Sequence, residues 1–431
     1  MDSLPVQVRC GSGREAPMSW GQLTQQAIYD FAGDESHRLS QRRSVDIPPG
    51  VPPQRIAAAV RSVLERHESL RTLYSPDRRQ RVQAEAELLV PVASAGSDEQ
   101  AQQIITDLYQ RPFSSVDLPV RFGVLNRPDD SATLLIAVSH LAADAFAADR
   151  LAGELRRLCK GDHPDELPPV AGQPVDRTVF EQSPAGLTMS KRNISRWLRL
   201  NERGVSSTPT PTLPGLSPRF QIGRLVSPRL RRALSTASAQ LGLPPAVLLL
   251  AGMSSVLGDL FGIAKVAIRI AFGNRTDPRD HGIETLMQWG LSVLDVRAPA
   301  ETVARSAFRE TMRASATARY DIYELFETLS GQRHVTDHSF MPQAFLNYFD
   351  GANPVALPDN DQVAVLPEST FDTGPGHERD SAGLYFVFAL PSPQAMTLLY
   401  MVDSRLLSLA DLEESARALE RWVVKLTDAG R

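Results

Sequence analysis

Cysteine is nearly missing from this chain: among 431 residues there are only Cys10 and Cys159, far apart and in no spacing suited to a metal. Two isolated thiols argue against a disulfide framework and fit a reducing cytoplasm. A secretory leader is also lacking, because the opening "MDSLPVQVRC" has no basic segment followed by an apolar core. No apolar run is clean enough to span a bilayer. The nearest, "LPPAVLLLAGMSSVLGDLF", carries Pro, Gly, Ser and Asp259 within a span's length and reads as a buried helix. Charge is not one-sided either: the net value is −4, and such a balance gives no reason to expect nucleic-acid binding. Three enzyme signatures are absent as well: the G-x-S-x-G elbow, the Walker A phosphate loop and the G-x-G-x-x-G dinucleotide turn. A soluble cytoplasmic protein is the expectation.

What is present has the composition of an ordinary globular protein, 42% hydrophobic. Its length is large for one core, so two domains are expected. The first third alternates helix and strand signals. "PPQRIAAAVRSVLERH" opens with Pro52 and Pro53 and repeats Ile56, Val60, Val63, Leu64 and His67 at helical spacing. "VRFGVL" and "ATLLIAVS" read as strands around the turn "NRPDDS", the second apolar on both faces as a central strand should be. "DAFAADRLAGELRRL" reads as a helix with early acids and late arginines, the order the helix dipole favours.

Residues 166–218 read as a proline-rich connector, with "GDHPDELPPVAGQP" and "SSTPTPTLPGLSP" lacking apolar periodicity. Between those stretches, "SKRNISRWLRLNERG" is a basic helix with Trp197 and Leu198, read as a solvated connector packing one tryptophan rather than as a membrane or partner site. From 219 the alternation returns. "RFQIGRLVS", "AKVAIRIAFG", "LSVLDVRA" and "MPQAFLNYF" read as strands, "GLYFVFAL" and "MTLLYMVD" as a hairpin, and "LADLEESARALERWVVKL" as a closing helix. The expected division is therefore 1–165, 166–218 and 219–431, with two α/β halves around a connector.

The chemistry centres on "VSHLAADAF". His140 ends a buried strand just before a helix, where α/β proteins expose functional groups. A neutral imidazole there can take a proton near neutral pH. Asp144 begins the next helix and can cap it or pair with an arginine. Ser139, His140 and Asp144 do not make a triad, because adjacent strand residues point to opposite faces. "RHVTDH" places His334 and His338 four apart, but no further ligand stands near them, so no metal is expected.

"VSHLAADAFAADRLAGEL" resembles the H-H-x-x-x-D-G motif of the nonribosomal peptide synthetase condensation-domain superfamily, and "RHESLRTLY" its R-H-E-x-L-R-T-x-F motif. "RPFSSVDLPVRFGVL", "AFGNRTDPRD", "WGLSVLDVRA" and "FLNYFD" resemble further segments of that family in its order. The resemblance runs from "MSWGQLTQQAIY" to the closing helix and is poorest over 161–218. It implies two chloramphenicol-acetyltransferase-like lobes in a V-shaped pseudo-dimer. A tunnel between them would admit a thioester on a carrier protein's phosphopantetheine arm from one side and an acceptor from the other.

Carried over residue by residue, the resemblance makes His140 the base or positioner of the nucleophile and Asp144 the loop support, with Arg71 or Arg275 as its partner. Asn347 falls in the Asn-Tyr strand. Three departures stand out. Ser139 replaces the first motif histidine, Ala145 replaces the motif glycine where the pantetheine arm needs close backbone approach, and Ser292 stands where the family has the Asn of F-V-N-T. "FDTGPGHERDSAG" reads either as a flexible gate or as the approach to a hairpin.

Two functions follow from the resemblance. One is a free-standing condensation-type acyltransferase joining a carrier-bound acyl or aminoacyl thioester to an amine or hydroxyl in natural-product biosynthesis. The other is a non-catalytic module that binds a carrier or recruits a tailoring enzyme; beside these two stands altered chemistry on the same scaffold, such as thioester hydrolysis, epimerisation or dehydration. The sequence contains no adenylation signature and no carrier segment, so an acyl or peptidyl carrier protein is expected on another polypeptide, with no bound cofactor, nucleic acid or membrane.

Overall fold

The computed structural model describes residues 2–11, 13–170, 172–201, 209–277, 282–331, 340–349, 368–378 and 383–428. The chain divides into two compact units. Among the described residues, unit 1 comprises those within 2–188 and 273–287, and unit 2 the remainder.

In unit 1 the order is β1 (Asp2–Arg9), β2 (Arg14–Pro17), α1 (Trp20–Ala32), β3 (Gln41–Ile47), α2 (Pro53–Arg66), β4 (Thr72–Tyr74), β5 (Arg79–Val82), β6 (Glu85–Ala93), α3 (Asp98–Tyr109), β7 (Val120–Asn126), β8 (Ala132–Val138), α4 (Ala145–Lys160) and α5 (Pro174–Glu181). Five strands form one sheet in the order β1-β6-β7-β8-β3, and β2, β5 and β4 form a smaller one. β8 lies between β7 and β3, antiparallel to both, which is why "TLLIAV" is apolar on both faces. α2 and α4 bury their helical stripes, Ile56, Val60, Val63 and Leu64 on one and Ala148, Leu151 and Leu155 on the other.

α6 (Pro184–Asn201) carries the chain onward. Unit 2 then contains β9 (Phe220–Ser227), α7 (Pro228–Leu241), α8 (Pro245–Phe261), β10 (Lys265–Phe272), β11 (Gln288–Asp295), α9 (Ala300–Ala316), α10 (Ile322–Ser330), β12 (Ala344–Tyr348), β13 (Thr370–His377), β14 (Tyr385–Pro391), β15 (Met396–Asp403) and α11 (Leu409–Asp428). Its sheet runs β11-β10-β12-β14-β15-β9-β13. α8 is the long apolar stretch of the sequence, and Val247 to Leu257 lie buried in the core of this unit. No single helix among the described residues is long and apolar enough to cross a membrane.

The expected division needs correction in two places. Residues 166–188 are part of unit 1 and not a free connector. Trp20 N–H donates to Glu181 Oε2 (2.9 Å), Glu68 N–H to the Gln173 side chain (3.1 Å), and Arg66 to the Pro168 carbonyl (2.8 Å). The basic helix is likewise built into unit 2, where Ile194, Trp197 and Leu200 are buried and Trp197 meets Tyr320 edge-on at 6.0 Å. Proline density reported absent periodicity correctly, but side-chain hydrogen bonds to distant backbone replace periodicity here. The second correction is larger: 273–287, deep in the C-terminal half of the sequence, folds into unit 1.

The stretch "FDTGPGH" of the supposed gate is the edge strand β13, paired antiparallel with β9. The following residues 379–382 lie outside the described residues, as do His334 and His338.

Candidate active site

The site is built where β8 ends. After Val138 the chain leaves the sheet, and every amide of the following loop finds an acceptor. Ser139 N–H goes to the Pro119 carbonyl (2.8 Å), His140 N–H to the Tyr29 hydroxyl (2.8 Å) and Leu141 N–H to Ser139 Oγ (3.3 Å). Ala142 and Ala143 N–H both go to the Ser139 carbonyl (2.9 and 3.1 Å). A loop so fully bonded has little freedom to move His140.

Asp144 closes this loop and starts α4. Its Oδ1 accepts the Ala147 N–H at 3.0 Å, an N-cap that satisfies an otherwise orphaned helix donor. The same oxygen takes a guanidinium N–H of Arg275 at 2.7 Å, and Oδ2 takes the Leu286 N–H at 3.1 Å. Of the two arginines expected as partner, Arg275 is the one that meets Asp144. Arg71 is buried elsewhere, donating to the carbonyls of Leu64 (3.2 Å) and Gln83 (2.6 Å).

Arg275 in turn holds the segment it belongs to. It donates to the Glu284 carbonyl (2.8 Å), and its guanidinium lies 4.6 Å over the Phe146 ring. Asn274 takes the left-handed φ of 50° that asparagine tolerates, and its side chain donates to the Leu286 carbonyl (3.1 Å). The buried Glu284 carboxylate receives two bonds from Arg177 of α5 (3.0 and 2.7 Å), a charge-assisted bidentate pair. Gly21 of α1 comes so close that a Cβ there would lie 2.3 Å from the Thr285 carbonyl oxygen.

His140 itself is half-buried, and its Nδ1 is enclosed without a hydrogen-bond partner among the described residues. Burial is the largest influence on the ring and pushes its pKa below the ordinary histidine value. The Asp144 carboxylate pulls it back up, while the Arg43 guanidinium pushes it down. The outcome is an imidazole that is neutral at pH 7 and able to accept a proton. Arg43, on β3, bonds Asp149 (2.6 Å) and the Ala145 carbonyl (3.0 Å), so it also fixes the first turn of α4.

Ala145 is the first residue of that helix and has ordinary helical geometry, so the position makes no demand for glycine's positive φ. Ser139, His140, Asp144, Ala145 and Arg275 are thus gathered in unit 1. Ser292 and Asn347 lie in unit 2, on β11 and β12. Ser292 is buried, and its hydroxyl lacks a partner among the described residues. Tyr29, Arg43, Arg177 and Glu284 were not foreseen. None is near the histidine motif in sequence, and a buried tyrosine or a paired acid has no periodic signature.

A strand-to-helix histidine and a capping aspartate paired with a distant arginine thus sit together in unit 1, within a mixed α/β fold of three sheets. The Condensation domain family model matches residues 24–362, and the chain belongs to that family. It is similar to tyrocidine synthase 3 of Brevibacillus parabrevis, 25% identical over 334 residues, covering 74% of this chain and 5% of that protein. The chain thus spans a small fraction of the length of that curated relative. Among solved structures, it is similar to the condensation domain of the monacolin K polyketide synthase MokA (TM-score 0.75, 16% identity, 96% of this chain and 97% of that one). It is also similar to a structure of the X-domain in complex with OxyB from teicoplanin biosynthesis (TM-score 0.68, 19% identity, 97% and 94% covered).

Proposed function

We propose that the chain is a condensation-type acyltransferase that joins a carrier-protein-bound acyl or aminoacyl thioester to an amine or hydroxyl acceptor in natural-product biosynthesis. The observation that carries this reading is His140, held on a fully bonded loop and kept neutral by burial. In the reaction the acceptor nitrogen or oxygen attacks the thioester carbonyl and its proton passes to the His140 imidazole. The carbon–sulfur bond then breaks, and the proton returns to the departing pantetheine sulfur, leaving an amide or ester. Asp144 and Arg275 keep the loop in register and take no part in bond making. Bringing donor and acceptor together removes a bimolecular entropy cost, so orientation supplies a large share of the rate. The phosphopantetheine arm enters as a substrate handle from a partner carrier protein.

A second reading is a non-catalytic module that binds a carrier or recruits a tailoring enzyme. It is favoured by Ala145 and Ser292 at altered motif positions, and by the likeness to the X-domain. The two are separated by complementing a deletion strain with wild type and His140→Ala while measuring pathway product by mass spectrometry and soluble protein by immunoblot. Loss of product with the soluble mutant supports catalysis. Equal restoration by both sinks the enzymatic reading and supports docking.

A further inference from the structure

The motif departs from its family at Ser139, and the structure places a second hydroxyl against that serine. Tyr29 sits in the last turns of α1, more than a hundred residues upstream. Its hydroxyl accepts the His140 amide at 2.8 Å and lies 3.3 Å from Ser139 Oγ. Ser139 Oγ accepts the Leu141 amide at 3.3 Å. One set of hydrogens satisfies all three contacts: the His140 N–H donates to the phenol, the phenol O–H donates to Ser139 Oγ, and the Leu141 N–H donates to the same serine oxygen. Burial raises the Tyr29 phenol to about 12, so its proton is retained across the neutral range.

We propose that Tyr29, together with Ser139, is the positioning pair of this site, clamping the backbone on either side of the His140 α-carbon so that the imidazole is presented in one orientation. This rests on the reading of His140 as the proton acceptor. The two amides it satisfies bond to side-chain hydroxyls, whereas the carbonyls of Pro119 and Ser139 accept residues 139, 142 and 143. Without the phenol, the His140 amide would be left unpaired beside a buried strand end, and the loop would shift to find water. A shift that lets water reach the His140 ring relieves the burial that depresses its pKa, so the pKa should rise toward the ordinary histidine value. A tyrosine acting only as core packing would leave that titration where it is.

The test uses the full chain with Tyr29→Phe, Ser139→Ala and, as a control for losing a buried phenol, Tyr385→Phe in unit 2, whose hydroxyl lies 3.3 Å from Ser415 Oγ. The ring nitrogens of His140 are titrated by NMR, with His140→Ala for assignment, and pathway product is measured in the complemented strain. The expected result is a His140 pKa that rises in Tyr29→Phe and, less, in Ser139→Ala, and stays put in Tyr385→Phe. Product formation should fall on the order of ten- to a hundredfold in Tyr29→Phe, with a folded protein by circular dichroism. An unchanged His140 titration and unchanged product in Tyr29→Phe overturn the proposal even if His140→Ala is dead. If His140→Ala keeps full product while Tyr29→Phe still shifts the titration, the clamp stands and the catalytic reading falls. Should Tyr29→Phe fail to fold, Ser139→Ala carries the same titration, and no shift there overturns the proposal.

Discussion

The charge state of His140 is the quantity on which the site turns. Its pKa is depressed, with burial the largest cause, Asp144 opposing and Arg43 adding to the depression. On the proposed reading of His140 as the base, which works when deprotonated, the acid limb of the pH–rate profile is expected below the ordinary histidine value of about 6.5. Asp144→Asn removes the group that raises the pKa and should move that limb further down. Arg43→Gln removes one that lowers it and should move the limb up. A profile of product formation from a loaded carrier checks both, and shifts of the same sign would refute the assignment. The stability link has a defined sign as well. In the unfolded chain the ring binds its proton first as pH falls, so this contribution is present above about 6.5 and is lost as pH drops through the folded value. Asp144 was readable from the motif. Its partner was narrowed to two arginines, and only the folded chain selects Arg275, 131 positions away.

Between elements, the joint of α2 and α4 is an ion cluster centred on Glu154. The His67 ring nitrogen lies 2.7 Å from this carboxylate, with Arg66 at 3.4 Å and Arg150 at 3.3 Å. Burial alone would raise the Glu154 carboxyl, but His67 and the two guanidiniums hold it below the ordinary carboxylate range. Glu154→Gln removes the carboxylate that the His67 ring, Arg66 and Arg150 share, with an expected loss of about 1–3 kcal/mol in urea unfolding. "RHE" was legible as a motif, whereas Glu154 was merely one acid in an amphipathic helix. The close approach of α1 to residues 282–287 gives another test. Gly21→Ala would press a methyl into the Thr285 carbonyl, with an expected cost of about 1–3 kcal/mol. Gly153→Ala in α4 meets nothing within 4 Å and should stabilise by about 0.5–1 kcal/mol, since alanine is the better helix former. Thermal melts of the two variants should therefore move in opposite directions.

For the molecule as a whole, the consequence lies in unit 1 being assembled from separated parts of the chain. A fragment ending at residue 188 contains the histidine motif yet lacks Arg275, Glu284 and the Leu286 amide. Asp144 would keep its cap to Ala147 but lose its charged partner, and Arg177 would lose its carboxylate. Such a fragment is expected to be protease-sensitive and poorly soluble beside the full chain, as limited trypsin digestion would reveal. A fragment as resistant as the intact protein would refute the structural role given to 273–287.

By itself the sequence determined the local elements and the identity of the motif. Strand β8, helix α4 and the Asp144 cap follow from alternation, helical spacing and a capping residue, all encoded within a dozen positions. The family was legible in the same way, through short ordered motifs. Tertiary structure alone decided which arginine faces Asp144, that Tyr29 holds the His140 amide, that Glu154 neutralises the α2–α4 joint, and that 273–287 belongs with the first unit. Those are pairings between residues from about ninety to more than a hundred positions apart. They depend on the path of the chain and on which polar groups burial leaves in need of partners, and neither is written in local periodicity.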